Sequence, residues 1–216
     1  MPPLTLAAQL ISISTALLAS GGIAALTLFD VPLLQSQPAS RSLPSIRWLF
    51  SRGSHVFPQA CVLSTLGFSY LVYTAVPTGS KVTLNLLRNA RVGGYLGAAI
   101  LCLAIAPWTD KVMIPANFKL IQMNEKMGGA RSAESAKVSN DQGQDRGSGS
   151  AEDSVAGKGQ ASQFTDLSGP QEKNDGSSKA DDAEVRRLLG EFGRLNMVRA
   201  GFMAAGGIVG LYTTLL

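Results

Sequence analysis

The chain has 216 residues, of which 45% are hydrophobic and 16% are charged, and its formal net charge at pH 7 is +4. A soluble domain usually carries about a quarter of its residues as charged side chains, so this composition argues against a soluble globular protein. The positive charge does not indicate nucleic-acid binding, because the arginines cluster beside long uncharged runs, as the interfacial anchors of membrane helices do.

Four runs without a charged residue occupy positions 4–29, 56–77, 92–109 and 200–216. Runs of this kind can cross a bilayer core of about 30 Å, and backbone amides in lipid must be paired within their own helix. The sequence therefore predicts an all-α, membrane-embedded four-helix bundle, that is, an integral multi-pass protein, for which an endomembrane is plausible. The first run has no lysine or arginine before it and exceeds the apolar core of a signal peptide, so we expect it to be retained.

Residues 1–127 are predicted to supply the first three helices, and residues 183–216 the fourth with an amphipathic lead-in. Between them, residues 128–182 are rich in Gly, Ser, Asp, Gln and Lys, and Phe164 is their one aromatic residue. Such a segment buries too little apolar surface to offset its ordering entropy. It is predicted to be a long disordered polar loop, either an inert insertion, which we favour, or a docking or phosphorylation segment.

Small residues spaced four apart favour close packing of helices in lipid. Gly93 and Gly97 have this spacing in the third run, and Gly206 and Gly210 have it in the fourth. We interpret these pairs as contacts within one bundle, and a dimerisation motif is the alternative.

Few residues could bind a metal or a redox cofactor. Cys61 and Cys102 lie inside predicted spans and resemble small apolar residues, and the chain has one histidine. No metal-ligand cluster, Gly-rich dinucleotide fingerprint or phosphate loop is visible. The sequence therefore supports no metal, flavin, nicotinamide or haem site.

The second span begins with polar side chains at helical spacing. Trp48, Arg52, His55 and Gln59 follow one another at steps of four, three and four, so they share a face if the helix extends back through Arg47. Pro58 is expected to interrupt and kink this helix. An imidazole can accept or donate a proton near neutral pH. The alternative is an interfacial histidine with tryptophan and arginine as headgroup anchors.

The third span ends in the unusual segment 106–120, APWTDKVMIPANFKL, which sets Trp108, Thr109 and Asn117 between prolines. The fourth span opens with Asn196 and Arg199, which share a helix face because they are three apart. Polar groups inside a membrane usually face a partner or a cavity, although Arg199 could instead snorkel to the interface. In an up-and-down bundle, six of these residues are predicted to line one mouth. They are Trp48, His55, Trp108, Asn117, Asn196 and Arg199.

Three short motifs resemble the anthrone oxygenase family, which includes noranthrone monooxygenases of fungal aromatic polyketide pathways. They are APWT at 106–109, MIPAN at 113–117, and LNMVR at 195–199 ahead of a Gly-rich final helix. The resemblance covers all four spans and excludes the polar loop. Ala116 stands where the family commonly has Thr, and Phe192 stands where it often has Trp.

The resemblance implies that an anthrone's central methylene is oxidised to the anthraquinone carbonyl by dioxygen, with neither metal nor flavin as cofactor. Loss of the methylene proton gives an electron-rich anion that can itself reduce dioxygen, so the enzyme needs a base, oxyanion donors and a dry pocket. We expect His55 to be the base, and we expect Asn117, Asn196 and Arg199 to donate to the developing oxyanion or to bind the peri-hydroxyls. The expected substrate contacts are Trp48, Arg52, Gln59, Trp108 and Thr109.

A non-catalytic four-span scaffold, which anchors the enzymes of a biosynthetic complex, is the alternative. The scaffold hypothesis predicts that deleting residues 128–182 abolishes function, whereas the oxygenase hypothesis predicts that turnover is retained. The expected partners of the oxygenase are a planar anthrone, dioxygen and the lipid bilayer. A homo-oligomer or a complex with pathway enzymes is compatible with either hypothesis.

Overall fold

The computed structural model of the chain describes residues 2–77, 84–141 and 165–216. Within these ranges the protein is helical and contains no strand. Four helices are long and apolar enough to cross a membrane. They are α1 (Pro3–Gln35), α2 (Ala39–Ala75), α3 (Ala90–Lys126) and α5 (Lys179–Leu215). A short helix, α4 (Ala133–Asp141), precedes α5 in the chain. The prediction of an all-α, four-span membrane protein is confirmed.

The four long helices extend well beyond the uncharged runs. Each has 33 or 37 residues, whereas about 20 residues suffice to cross the hydrocarbon core. Helix α2 begins at Ala39 and therefore does include Arg47, as the predicted shared face requires. The expected interruption at Pro58 is wrong, because α2 runs through this residue to Ala75.

Helices α1 and α3 each contain one wider, π-helical turn. These turns are Leu26–Asp30 in α1 and Thr109–Met113 in α3. Pro32 and Pro115 each follow within the first turn of the next α-helical segment. A proline lacks the N–H that an α-helix needs and crowds the carbonyl four residues earlier, but it is tolerated in a first turn. The widened turn therefore accommodates each proline without ending the helix.

The described residues form two compact units. Unit 1 comprises Met1–Ala25, Val56–Lys111 and Asn196–Leu216. Its core combines small and large side chains, and small residues are expected where helices approach closely. The buried core residues are Ala16, Ala19, Ile23, Cys61, Phe68, Leu71, Tyr95, Ala98, Ala99, Cys102, Ile105, Ala200 and Met203.

Two of the predicted glycine contacts are present in unit 1. A Cβ atom added at Gly206 would lie 2.7 Å from the sulfur of Cys102, and one at Gly210 would overlap the ring of Phe68. Both positions therefore require glycine for close helix packing. Gly97, by contrast, has open space around it, so its place in the predicted pair has no packing role within unit 1.

Unit 2 comprises Leu26–His55 and Val112–Leu195. Its buried side chains on the long helices are mostly apolar, with Arg47 as a buried cation. Phe50 meets Phe192 edge to face at 5.1 Å between ring centroids. It also contains a buried amide pair, in which Asn174 donates to Asn124 at 2.9 Å. The aromatic residue at 192 thus supports the packing of this unit.

The two ends of the predicted loop 128–182 have defined structure, so the prediction of disorder is wrong for them. One end contains α4, and the other is tied to α2 because the amide of Asn174 donates to the carbonyl of Ser40 at 2.8 Å. The composition rule failed here because polar side chains, and not apolar burial, hold these ends. Residues 142–164, with Phe164, lie outside the described residues.

Candidate functional site

Unit 1 contains one charged side chain that is withdrawn from the surface. Its described segments contain five charged residues, and four of them, Arg88, Arg91, Asp110 and Lys111, are exposed. Arg199 is the fifth. It lies on the membrane-spanning helix α5, and most of its side chain is buried. Among the described residues no carboxylate pairs with it, and its Nε atom is buried without a hydrogen-bond partner. A guanidinium has five N–H donors, and the one on Nε is unused capacity among the described residues.

Asn196 orients this guanidinium. The Asn196 side chain is fully buried, donates from Nδ2 to the Ile23 carbonyl at 2.9 Å, and accepts from Arg199 Nη1 at 3.1 Å. A neutral amide can satisfy both contacts because it offers a donor and an acceptor at once. The predicted pairing of Asn196 with Arg199 is therefore present, and α1 fixes it from the other side.

The remaining neighbours of Arg199 are apolar or weakly polar. Its guanidinium carbon lies 5.8 Å from the centre of the Phe57 ring, which is a cation–π distance. Cys61, one helical turn after Phe57, lies near enough to interact electrostatically with Arg199. The Cys61 thiol itself donates to the carbonyl of Cys102 at 3.2 Å. These contacts hold the cation in place but leave it without a counter-ion among the described residues.

The other unit 1 residues predicted for the site differ in their surroundings. Trp108 packs edge to face on Phe202, with ring centroids 6.1 Å apart. The hydroxyl of Thr109 is buried and has no hydrogen-bond partner among the described residues. Gln59 is exposed, so nothing in unit 1 encloses it. Across the described chain, no group of three His, Cys, Asp or Glu side chains is placed to hold a metal ion.

Trp48 and Arg52 share one partner in unit 2. Trp48 Nε1 donates to the carbonyl of Ser168 at 2.9 Å, and Arg52 Nη2 donates to the same oxygen at 3.0 Å. The Arg52 guanidinium also lies over the Trp48 ring, 5.4 Å from its centre. The two side chains therefore form one rigid pair, as their spacing of four predicts.

His55 is half-buried, and its neighbour Ser54 restricts its tautomer. The Ser54 hydroxyl donates to the Ser51 carbonyl at 2.7 Å and lies 3.0 Å from His55 Nδ1. A serine has one hydroxyl proton, and a carbonyl can only accept. The tautomer that satisfies both contacts has Nδ1 donating to Ser54, with Nε2 as the basic nitrogen of the neutral ring. That nitrogen is buried.

Asn117 lies on α3 after the π-helical turn. Its Oδ1 atom is buried and has no hydrogen-bond partner among the described residues, which leaves an amide with unused capacity. The preceding residue, Ala116, is buried. It stands where the family that the motifs resemble commonly has Thr, and it offers no hydroxyl. Asn117, His55, Trp48 and Arg52 belong to unit 2, whereas the Arg199 group belongs to unit 1. The single mouth that unites them stays a prediction.

Sequence reasoning did not identify Phe57, Cys61 or the segment that contains Ser168. Phe57 and Cys61 are four apart on α2. The signal that could have found them was Arg199, because a charged residue in a span requires neighbouring side chains on another helix to accommodate it. The signal for the Ser168 segment was Asp166-Leu167-Ser168, because an aspartate two residues before a serine favours a local side-chain turn.

Comparisons with known proteins support the motif resemblance over three of the four spans, α2, α3 and α5, and do not extend it to α1. The family model described as anthrone oxygenase matches residues 47–209, which is well over half of the chain. No match was found among curated proteins or among solved structures. The matched range contains every residue predicted for the site, from Trp48 to Arg199. On this match, the chain belongs to the anthrone oxygenase family.

Proposed function

We propose that this protein oxidises an anthrone to the corresponding anthraquinone with dioxygen, at the membrane. The observation that supports this most is the enclosed Arg199 guanidinium, which has no carboxylate partner among the described residues. Placing a charge inside a membrane span costs about 2.5–3.5 kcal/mol even on the most permissive scale. A protein that retains such a charge without a counter-ion is suited to an anionic ligand or intermediate.

The anion that an anthrone forms fits this environment. An anthrone is a flat, apolar tricycle, and loss of one methylene proton places negative charge on the oxygen of the opposite carbonyl. Arg199, oriented by Asn196, would stabilise that oxyanion by a charge-assisted hydrogen bond. The buried Oδ1 atom of Asn117 has unused capacity to accept a hydrogen bond from a hydroxyl group of the substrate. Trp108 and Trp48 are the aromatic surfaces for stacking on the rings.

The reaction requires one base that acts twice. His55, through Nε2, is proposed to take the first methylene proton. The carbanion then gives an electron to dioxygen, and the resulting pair combines to form a carbon–oxygen bond, which yields a hydroperoxide after protonation. Removal of the second proton from the same carbon breaks the O–O bond and releases water. One oxygen atom enters the new carbonyl and the other leaves as water, so an anthrone and dioxygen become a quinone and water.

The direct test is turnover under labelled dioxygen. Membranes that contain the protein are incubated with an anthrone under ¹⁸O₂, alongside membranes that contain the Arg199→Gln variant. We expect one labelled atom in the new carbonyl and quinone formation well above the spontaneous rate, with the excess lost in the variant. Quinone formation no faster than in membranes lacking the protein would reject the proposed activity.

A further inference from the structure

Residues 166–169 belong to the part of the chain that composition marks as an inert loop, yet they contact two residues of the predicted site. This stretch, Asp166-Leu167-Ser168-Gly169, is called segment 166–169 below. The carbonyl of Ser168 accepts two hydrogen bonds, from Trp48 Nε1 at 2.9 Å and from Arg52 Nη2 at 3.0 Å. A single backbone oxygen therefore fixes both the indole plane and the guanidinium stacked on it.

Segment 166–169 is itself held by a carboxylate. Asp166 accepts from the amide of Ser168 at 2.9 Å and from the hydroxyl of Ser168 at 2.6 Å. It also accepts from the hydroxyl of Ser132. These three bonds close a tight turn, whose geometry sets the direction of the Ser168 carbonyl.

Helix α4 secures the turn from its other side. The amide of Ala133 donates to the Gly169 carbonyl at 3.0 Å, and the amide of Glu134 donates to the Ser168 hydroxyl at 3.2 Å. The next amide, of Ser135, is capped by the Ser132 hydroxyl at 3.1 Å. The first amides of α4 thus find partners, and the Asp166 carboxylate lies where a helix N-terminus favours negative charge.

We propose that segment 166–169 is a positioning element that fixes Trp48 and Arg52 in the conformation needed to stack on the aromatic substrate. This rests on the proposed function, in which Trp48 contacts the anthrone. Ordering these two side chains on folding avoids the entropy cost of ordering them when the substrate binds. The segment is thereby part of the binding machinery, although neither it nor α4 provides a group that reacts.

The test breaks the turn without touching Trp48. Asp166→Ala removes the three hydrogen bonds that Asp166 accepts. The chain has two tryptophans, so Trp48 is the single tryptophan fluorophore when Trp108→Phe is also introduced. We expect Asp166→Ala to shift Trp48 emission to longer wavelength and to increase its quenching by acrylamide. With Trp108 intact, we expect KM for the anthrone to rise about tenfold while kcat changes by less than about threefold.

Asp181→Ala is the matched control. Asp181 closes a similar turn by accepting from the amide and the hydroxyl of Ser178, at 3.0 and 2.6 Å, at the start of α5. Neither Trp48 emission nor KM should change in this variant. Asp166→Asn keeps one acceptor oxygen and should give an intermediate shift of both readouts, which a general loss of folding would not produce.

Three outcomes would overturn the proposal. Unchanged Trp48 emission in Asp166→Ala shows that the segment does not position the indole. Changed emission with unchanged KM shows that the positioning does not serve the substrate, and leaves the proposed function standing. Absence of anthrone turnover in the wild-type protein rejects the proposed function and, with it, the role in substrate binding, while the emission measurement still reports on the turn.

Discussion

The Asn196→Asp substitution tests whether the chemistry needs an Arg199 guanidinium that has no carboxylate partner among the described residues. The two side chains have nearly the same shape, so the exchange places a carboxylate where the amide oxygen now accepts from Arg199 Nη1 at 3.1 Å. The guanidinium then acquires a permanent counter-ion. An oxyanion on the substrate can no longer compete for it, and we expect catalysis to fail while the helices remain folded.

The expected magnitudes follow from the contacts. At an effective dielectric constant near 20, charges about 4 Å apart attract by about 4 kcal/mol. Against this, the carboxylate loses the 2.9 Å bond to the Ile23 carbonyl and faces that oxygen unprotected, which costs about 1–3 kcal/mol. Burial of the new carboxylate in the span costs about 2.5–3.5 kcal/mol more, so stability should be maintained or fall by at most about 2–3 kcal/mol. Loss of one oxyanion donor lowers kcat by about 10²–10³-fold in enzymes that depend on such a donor.

The assay compares kcat for anthrone oxidation with the thermal stability of the purified protein. Asn124→Asp is the matched control, since Asn124 is also fully buried and is hydrogen-bonded to Ala130 and Asn174. We expect this control to lose stability and to retain kcat in the fraction that is folded. If Asn196→Asp keeps wild-type kcat, Arg199 does not serve as an oxyanion donor, and its role is that of a structural anchor.

Three further outcomes are expected. His55→Gln should lower kcat about 10²-fold or more, measured at saturating anthrone, and unchanged turnover would eliminate His55 as the base. Deletion of residues 142–164 should leave turnover unchanged, whereas deletion of residues 128–182 should raise KM. The reason is that only the longer deletion removes the Ser168 carbonyl. Equal effects of the two deletions on KM would contradict a role for this carbonyl. Burial raises the pKa of Asp166, but hydrogen bonds from Ser132 and Ser168 and the charge of Arg52 lower it by more. The pKa of Asp166 therefore lies below its ordinary value of 3.8. The stability contributed by this lowered pKa is present above the unfolded-state pKa and is lost as the pH falls through the folded pKa, so Trp48 emission should be constant near neutral pH and change only below about pH 4.

The four membrane spans were predictable from sequence, because a helix that crosses lipid needs about 20 mostly apolar residues in a row. Runs without charge predicted four helices, and four membrane-length helices are present. Their true ends were not predictable, because the polar parts of α2 and α5 are stabilised by packing within unit 2. The side chains of Phe50 and Phe192, for example, meet across more than a hundred residues of sequence.

The candidate site was predictable where its residues share a helix and unpredictable where they do not. The pairs Asn196 with Arg199 and Trp48 with Arg52 follow from helical spacing, and both are in contact. The partners that fix these pairs, the carbonyls of Ile23 and Ser168, belong to the backbone. Every residue offers such a carbonyl, so no sequence pattern distinguishes the one that is used.

Helix α1 shows why the limits of the family match are not the limits of the site. The match begins at residue 47 and therefore omits α1. Yet Ile23 supplies the carbonyl that fixes Asn196, and Gly22 faces the Phe57 ring, which a Cβ added at Gly22 would meet at 3.4 Å, an ordinary packing distance. Ile23 thus acts on Arg199 through the Asn196 amide, and Gly22 acts on it through the Phe57 ring. Helix α1 therefore takes part in fixing where the cation points through a backbone carbonyl, which a residue of any type at position 23 would offer.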